Sequence, residues 1–365
     1  MTLTTLLIAL VAVAAGVAVF AIGMRRSGGR AVTATIRTET RKEALSAATP
    51  PDGEGPGYES AATATVFDEC FKLAFGVPRF DYDISGQHAV VLAKVNENAA
   101  ASVHQRDYFP RRPMLLPRLM QVLKDDDSTR KEMVRLILED PALAGSVLQR
   151  ANSAAYRYSP EPVDSLDRAV VMLGADGLRG LMATAILQPV FRQPKGYFDN
   201  FAVITWEHAR RAAAASEACA RALGNADPFI AQLLGLLGPL ARIVLFRLTM
   251  ETYREQAELT PRADVFVRGM QMQGPKVATF IAQTWELSDP SILALNEQAG
   301  KISPAAMSPL GQAIYFGELC GALAVLAKRG SYAVEGAQAL LMEQGLASAT
   351  TLEVWDAAFA ANEDH

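Results

Sequence analysis

An all-α fold, multi-helical and preceded by an N-terminal transmembrane helix, is what this sequence predicts, and three observations predict it. Alanine and leucine dominate while aromatics make up only 7% of the chain, a composition of strong helix formers. No stretch alternates apolar and polar residues in the manner of a strand for more than a few positions. Helix start and stop residues recur instead, with apolar residues between them at helical spacing.

The first element is the most distinctive. From Leu3 to Ile22 the chain is apolar, with no charged residue. Twenty residues in a helix span roughly 30 Å, the thickness of a bilayer's hydrocarbon core. A cleaved signal peptide would want a charged leading segment, and only Met1-Thr2 precedes this run. The reading is therefore an anchor, residues 1–26. Arg25, Arg26 and Arg30 follow it, then Arg37, Arg41 and Lys42, which places its C-terminal end on the cytoplasmic side. The expectation is a single-pass protein of the inner membrane with its N-terminus outside. The pairs Ala12/Gly16 and Ala14/Ala18 would let two such helices approach, so a homo-oligomer is allowed.

Residues 27–60 are rich in Gly, Ser, Thr, Ala and Pro and read as a flexible linker with a root-mean-square span of about 30–35 Å. A helical extension follows at 61–110. Its first helix carries Ala64, Phe67, Phe71, Leu73 and Phe75 and ends at Gly76-Val77-Pro78; its second carries Val91, Leu92 and Val95.

From Leu115 the signals become regular. Pro117 is a first-turn proline, Ser128 a cap, and Asp140-Pro141 a cap plus first-turn proline. Leu143, Val147 and Leu148 form an apolar face running towards Asn152 and Ser153, whose short polar side chains suit a helix end. A helix from about Ser165 to Leu173 stops at Gly174, and another runs from Ala175 to Leu187 before Pro189. The C-terminal extension, 301–365, reads as two or three further helices, including Ser308 to Lys328 and one from about Thr350.

The chain's net charge of -4 and the lack of a dense basic patch argue against nucleic acid as a partner. Residues 163–187 resemble a helix-turn-helix only in outline. Cys70, Cys219 and Cys320 lie far apart and read as small buried residues in a reducing compartment. The chain contains no Gly-rich phosphate loop with Lys-Ser/Thr, no Gly-x-Ser-x-Gly elbow and no metal-spaced Cys pair.

The string LLPRLMQVLKDD at 115–126, LILEDPALAGSVLQRANSAAY at 136–156, VDSLDRAVVMLGADGLRGL at 163–181 and TWEH at 205–208 together resemble an HDOD domain. That family is a helical relative of the HD-type metal-dependent phosphohydrolases. The motif positions are Asp140, Pro141, Asn152, Ser153, Tyr156 and Gly174, all read as structural, and the resemblance covers residues 111–300.

The parent chemistry requires histidines, an adjacent His-Asp pair and a further Asp around metal ions. The chain has four histidines, His88, His104, His208 and His365, and none precedes an Asp. The resemblance puts Gly238-Pro239 where relatives carry the His-Asp pair, and Pro239 is expected to bend or start a helix there. It puts Gly274 at a further histidine position and Glu297-Gln298 near a histidine pair. His208 alone is retained, and its plain reading is a hydrogen-bonded structural histidine. Trp206 and Trp285 read as core aromatics, and Arg210, Arg211 and Arg221 as the solvated face of one amphipathic helix.

The expected protein is thus a membrane-anchored pseudoenzyme with no cofactor or metal. The resemblance implies a role in bacterial signal transduction through an unknown signalling partner. The alternative is a divergent metal-dependent phosphohydrolase or nucleotide-binding protein whose Asp and Glu residues supply non-standard ligands.

Overall fold

The computed structural model describes residues 61–101, 117, 130–139, 141–153, 162–187, 196–256, 258–299 and 302–361. The expected anchor at 3–22, the linker at 27–60, Ser128, Asp140, Tyr156 and Pro189 lie outside them. Among the described residues the architecture is all-helical, without a strand. The helices in chain order are α1 (Ala61–Phe75), α2 (Gly86–Ala101), α3 (Arg130–Leu138), α4 (Pro141–Ala151), α5 (Leu166–Leu187) and α6 (Asn200–Leu223). They continue with α7 (Pro228–Arg254), α8 (Ala263–Thr284), α9 (Asp289–Ala299), α10 (Pro309–Lys328), α11 (Val334–Glu343) and α12 (Ser348–Ala360).

Local chemistry sets the boundaries. The Asp227 side chain accepts from the backbone N–H groups of Phe229 and Ile230, and Pro228 fills the first turn of α7. Ser308 and Pro309 start α10 in the same way. Gly224, at φ 71°, closes α6. Gly174, at φ 65° and ψ 178°, kinks α5 into the two segments expected from the sequence, and only glycine adopts that pair of angles without strain.

The centre is a three-helix contact of α6, α7 and α10, and α7 and α10 are buried on nearly every side. Both are long and apolar enough to cross a membrane, yet 83% and 78% of their most apolar windows are buried within the protein. They are core helices. Small residues permit the close crossing of α6 and α10: a Cβ on Gly317 would fall 1.9 Å from Ser216 Oγ, and one on Gly321 2.7 Å from the Ala212 nitrogen. The C-terminal extension is therefore anchored through α10, which lies in the core of the fold.

Of the two expectations for Pro239, a bend or a helix start, the start is not met. Helix α7 runs through it from Pro228 to Arg254, because burial of the whole segment outweighs one lost backbone donor.

The N-terminal helices are fixed by aromatic packing. Phe75 at the end of α1 meets Phe201 at 4.9 Å and Phe266 at 5.7 Å between ring centres, and Phe201 stacks on Phe246 at 4.5 Å. This cluster joins α1, α6, α7 and α8. Helix α2 lies on α7 and α8, where His88 Nδ1 sits 2.9 Å from Tyr253 Oη. Helices α3, α4 and α5 pack together, and α5 carries them onto α7.

The arginines of α6 require a correction. Arg221 is exposed, but Arg210 is half-buried and Arg211 is fully buried. Arg211 is not solvated because Glu207, one turn earlier, accepts from its Nε and Nη2 at 3.1 and 2.9 Å. Its Nη1 donates to the carbonyls of Ala358 and Phe359 at the end of α12, at 2.7 and 3.1 Å. Trp285 is fully buried, and all three cysteines are free and buried. Burial pushes the Cys70 thiol up to about 11 and the Cys219 thiol to about 12, so both are inert at neutral pH.

Candidate functional site

The residues singled out by register converge. Gly238 of α7, Gly274 of α8 and Gln298 of α9 all line a cavity of about 160 Å³, whose remaining walls come from α1 and α10. His208 of α6 lies behind it and is 1% exposed. Two residues that sequence reasoning missed, Arg242 and Glu318, complete the centre.

The Arg242 guanidinium donates through Nη1 to His208 Nδ1 at 2.8 Å and through Nη2 to Glu318 Oε2 at 2.7 Å. His208 Nε2 lies 2.9 Å from the Glu318 backbone carbonyl. A carbonyl only accepts, so Nε2 carries the proton and Nδ1 is the acceptor. The imidazole is thereby held neutral in one tautomer. Burial first, then the positive charge of Arg242, lower its pKa to about 3. The guanidinium carbon lies 5.6 Å from the ring centres of both Phe67 and Phe71, so α1 covers the cation with aromatic faces. Burial raises the Glu318 carboxyl above its ordinary value, an effect that Arg242 offsets only in part.

Glycine at 238 is a packing requirement. A Cβ there would fall 1.8 Å from Glu318 Oε1, so the carboxylate occupies the space a side chain would take. Gly274 differs: beyond its chain neighbours, among them Pro275, a Cβ there meets nothing within 4 Å. Glu297, adjacent in sequence to Gln298, turns to Ser308 instead, accepting from its nitrogen at 2.9 Å and its hydroxyl at 2.7 Å.

The motif residues of the first half lie in a different place. Pro141 opens α4, and Asn152 follows its end. The Asn152 side chain donates to the Leu148 and Val163 carbonyls and accepts from the Val163 nitrogen at 2.7 Å, bridging the end of α4 to the segment before α5. The Ser153 hydroxyl is buried and has no partner among the described residues. Asn152 and Ser153 do not line the cavity.

The centre of this helical domain is thus an arginine, a histidine and a glutamate locked together. Residues 109–299 match the model of the HDOD domain, about half of the chain, and the chain belongs to the HDOD family. A candidate metal-dependent phosphohydrolase from Shewanella amazonensis SB2B shares the fold with a TM-score of 0.51, at 14% identity over 74% of this chain and 99% of that one. An HDOD domain protein of unknown function from Geobacter sulfurreducens aligns with a TM-score of 0.50, at 20% identity over 73% of this chain and 89% of that one. A candidate signal transduction protein from Marinobacter aquaeolei VT8 scores 0.49 at 21% identity, over 79% of this chain and 70% of that one. Among curated proteins, none matches the sequence.

The donor set does not fit the metal ions of HD-type hydrolases. Among the described residues no three His, Cys, Asp or Glu side chains come together. The two potential ligands at the centre, His208 and Glu318, are both turned to a fixed positive charge. A divalent ion at His208 would have to displace the Arg242 guanidinium, and Gly238 and Pro239 offer no side-chain donor to replace it.

Proposed function

We propose that this chain is a non-catalytic HDOD module for signalling through protein interaction, held at the cytoplasmic face of the inner membrane by residues 3–22. The observation that carries the non-catalytic reading is the engagement of His208 Nδ1 and Glu318 Oε2 by Arg242. A guanidinium supplies the charge neutralisation that a metal supplies elsewhere, but it activates no water and leaves no open coordination position. Support for the location is the uncharged run Leu3–Ile22 with arginines on its C-terminal side alone. A tether of about 30–35 Å would give the module reach along the membrane surface and raise its local concentration near other membrane-held proteins.

The test uses the full-length chain purified in detergent. Metal content after dialysis against Mn²⁺ and Mg²⁺, and turnover of a generic phosphodiester, are measured together. Substoichiometric metal and no turnover are the expected results. One bound ion per chain with turnover that a chelator abolishes would overturn the reading and establish a divergent phosphohydrolase.

A further inference from the structure

We propose that the cavity at this centre is a binding site for one small neutral molecule with an apolar body of about the size of indole and one hydrogen-bond donor. The proposal goes beyond the non-catalytic reading, since a ligand site and a lost metal site are separate properties.

Size and polarity come first. The cavity measures about 160 Å³, close to the roughly 150 Å³ of an engineered apolar cavity that accepts benzene. Phe67 and Phe71 of α1, Leu295 of α9 and Ile314 of α10 supply apolar wall. Such a lining selects a compact hydrophobic body.

The polar atoms on the wall specify the rest. The Gln298 amide nitrogen donates to the Ala294 and Gly311 carbonyls at 2.9 and 3.1 Å. Both partners only accept, which fixes the amide orientation and turns Oε1 the other way. No described residue donates to Gln298 Oε1. Glu318 is similar: Oε2 takes the Arg242 hydrogen bond, no described residue donates to Oε1, and the side chain remains 15% exposed within the buried centre. Two acceptors to which no described residue donates therefore stand on side chains that line a largely apolar space, and a ligand that fills it displaces their water and must donate in its place. The donor should be neutral, because Arg242 already balances the Glu318 charge and a second cation would sit against its guanidinium.

The experiment titrates the full-length chain in detergent with indole and with benzofuran, which has the same shape but oxygen in place of N–H. Binding is followed by ligand-observed NMR, with melting curves for every variant. Gly274→Leu fills the cavity from a position where the added carbon meets nothing beyond its chain neighbours, and Gln298→Leu removes one acceptor. The wild type should bind one indole per chain saturably, with benzofuran about tenfold weaker. Gly274→Leu, whose Cβ crowds Pro275 but no more distant neighbour, should remain folded and lose saturable binding, and Gln298→Leu should bring indole towards the benzofuran value. Absence of saturable indole binding to the wild type, or undiminished binding in a folded Gly274→Leu chain, would overturn the site. Equal affinity for indole and benzofuran would overturn the donor requirement. None of these results alters the metal measurement above, so the two readings fail separately.

Discussion

Helix α6 takes part in two arginine clusters, through Glu207 and Arg211 in one and His208 in the other, and they are built on opposite terms. In the first, Glu207 is shared by Arg211 and Arg329, and Arg211 continues to two carbonyls at the end of α12. Burial pushes the Glu207 carboxyl up, but the hydrogen bonds and charges of Arg329 and Arg211 outweigh it and hold the group below its ordinary value. In the other cluster Glu318 faces one arginine, which His208 also engages, and there burial prevails and the carboxyl is raised. The first cluster is a closed network that ties the C-terminal helix to the core. The second stands beside a cavity with an acceptor oxygen unspent. A buried charge matched twice is architecture, whereas one matched once keeps chemical potential for a further partner.

The largest expected effect is on the closed cluster. Arg211→Ala leaves the carbonyls of Ala358 and Phe359 without their donor and removes one of the two charges on Glu207. Denaturant unfolding should show a loss of about 3–5 kcal/mol. A loss under 1 kcal/mol would mean that Arg329 alone satisfies Glu207 and that the two clusters are alike. The next effect is at the open cluster. Gly238→Ala drives a methyl group against the Glu318 carboxylate, and an overpacked core of this kind should lose about 1–3 kcal/mol. Shortening the opposing group in Gly238→Ala/Glu318→Asp should recover part of that loss, which a purely local helix effect at 238 would not permit.

The sequence made the periphery of this site legible but not its centre. Register placed Gly238, Gly274 and Gln298 near one another, and the structure gathers all three around one cavity. Gly174 was legible because a helix stop at a glycine has a simple backbone cause. Arg242 and Glu318 escaped because each interrupts an apolar stretch of its helix without forming a motif. That isolation was itself the available signal, since an ionisable residue in a helix buried on all sides needs a partner. Arg211 was misread for the converse reason. It lies among alanines beside Arg210, and small neighbours say little about which face is covered; the Glu207 one turn earlier was the better clue.

The charge state of the open cluster gives a pH test. His208 is held at about 3, against 6.5 for a free imidazole. Below about pH 6.5 the unfolded chain binds a proton that the folded chain refuses. The contribution is therefore whole above pH 6.5 and falls, at up to about 1.4 kcal/mol per pH unit, as pH drops towards 3. Glu318, raised rather than lowered, works in the opposite sense, so the comparison needs a variant that changes His208 alone. Gln reproduces both roles of the imidazole, with an N–H for the Glu318 carbonyl and an oxygen for Arg242, and it does not titrate. His208→Gln should be somewhat less stable than wild type at pH 7.5, and should regain about 1–2 kcal/mol relative to it by pH 5. Parallel stability curves would mean that His208 is not the group that resists protonation.

The smallest effect separates an open centre from a merely polar one. Gly238 and Gly274 both stand where relatives are expected to hold metal ligands, and both lie on the cavity wall. Both also precede a proline, whose ring crowds a Cβ on the helical residue before it. Their substitutions should nonetheless differ in size. At 238 the space beyond Cα also belongs to Glu318; at 274 nothing beyond the chain neighbours lies within 4 Å. Removing the helix penalty of glycine offsets part of the proline contact. Gly274→Ala should therefore change stability by less than about 1 kcal/mol, read as a small shift of the denaturation midpoint with an unchanged slope. A destabilisation comparable to that of Gly238→Ala would mean that α8 closes onto the cavity in solution, and the open cluster would then be as closed as that of Glu207.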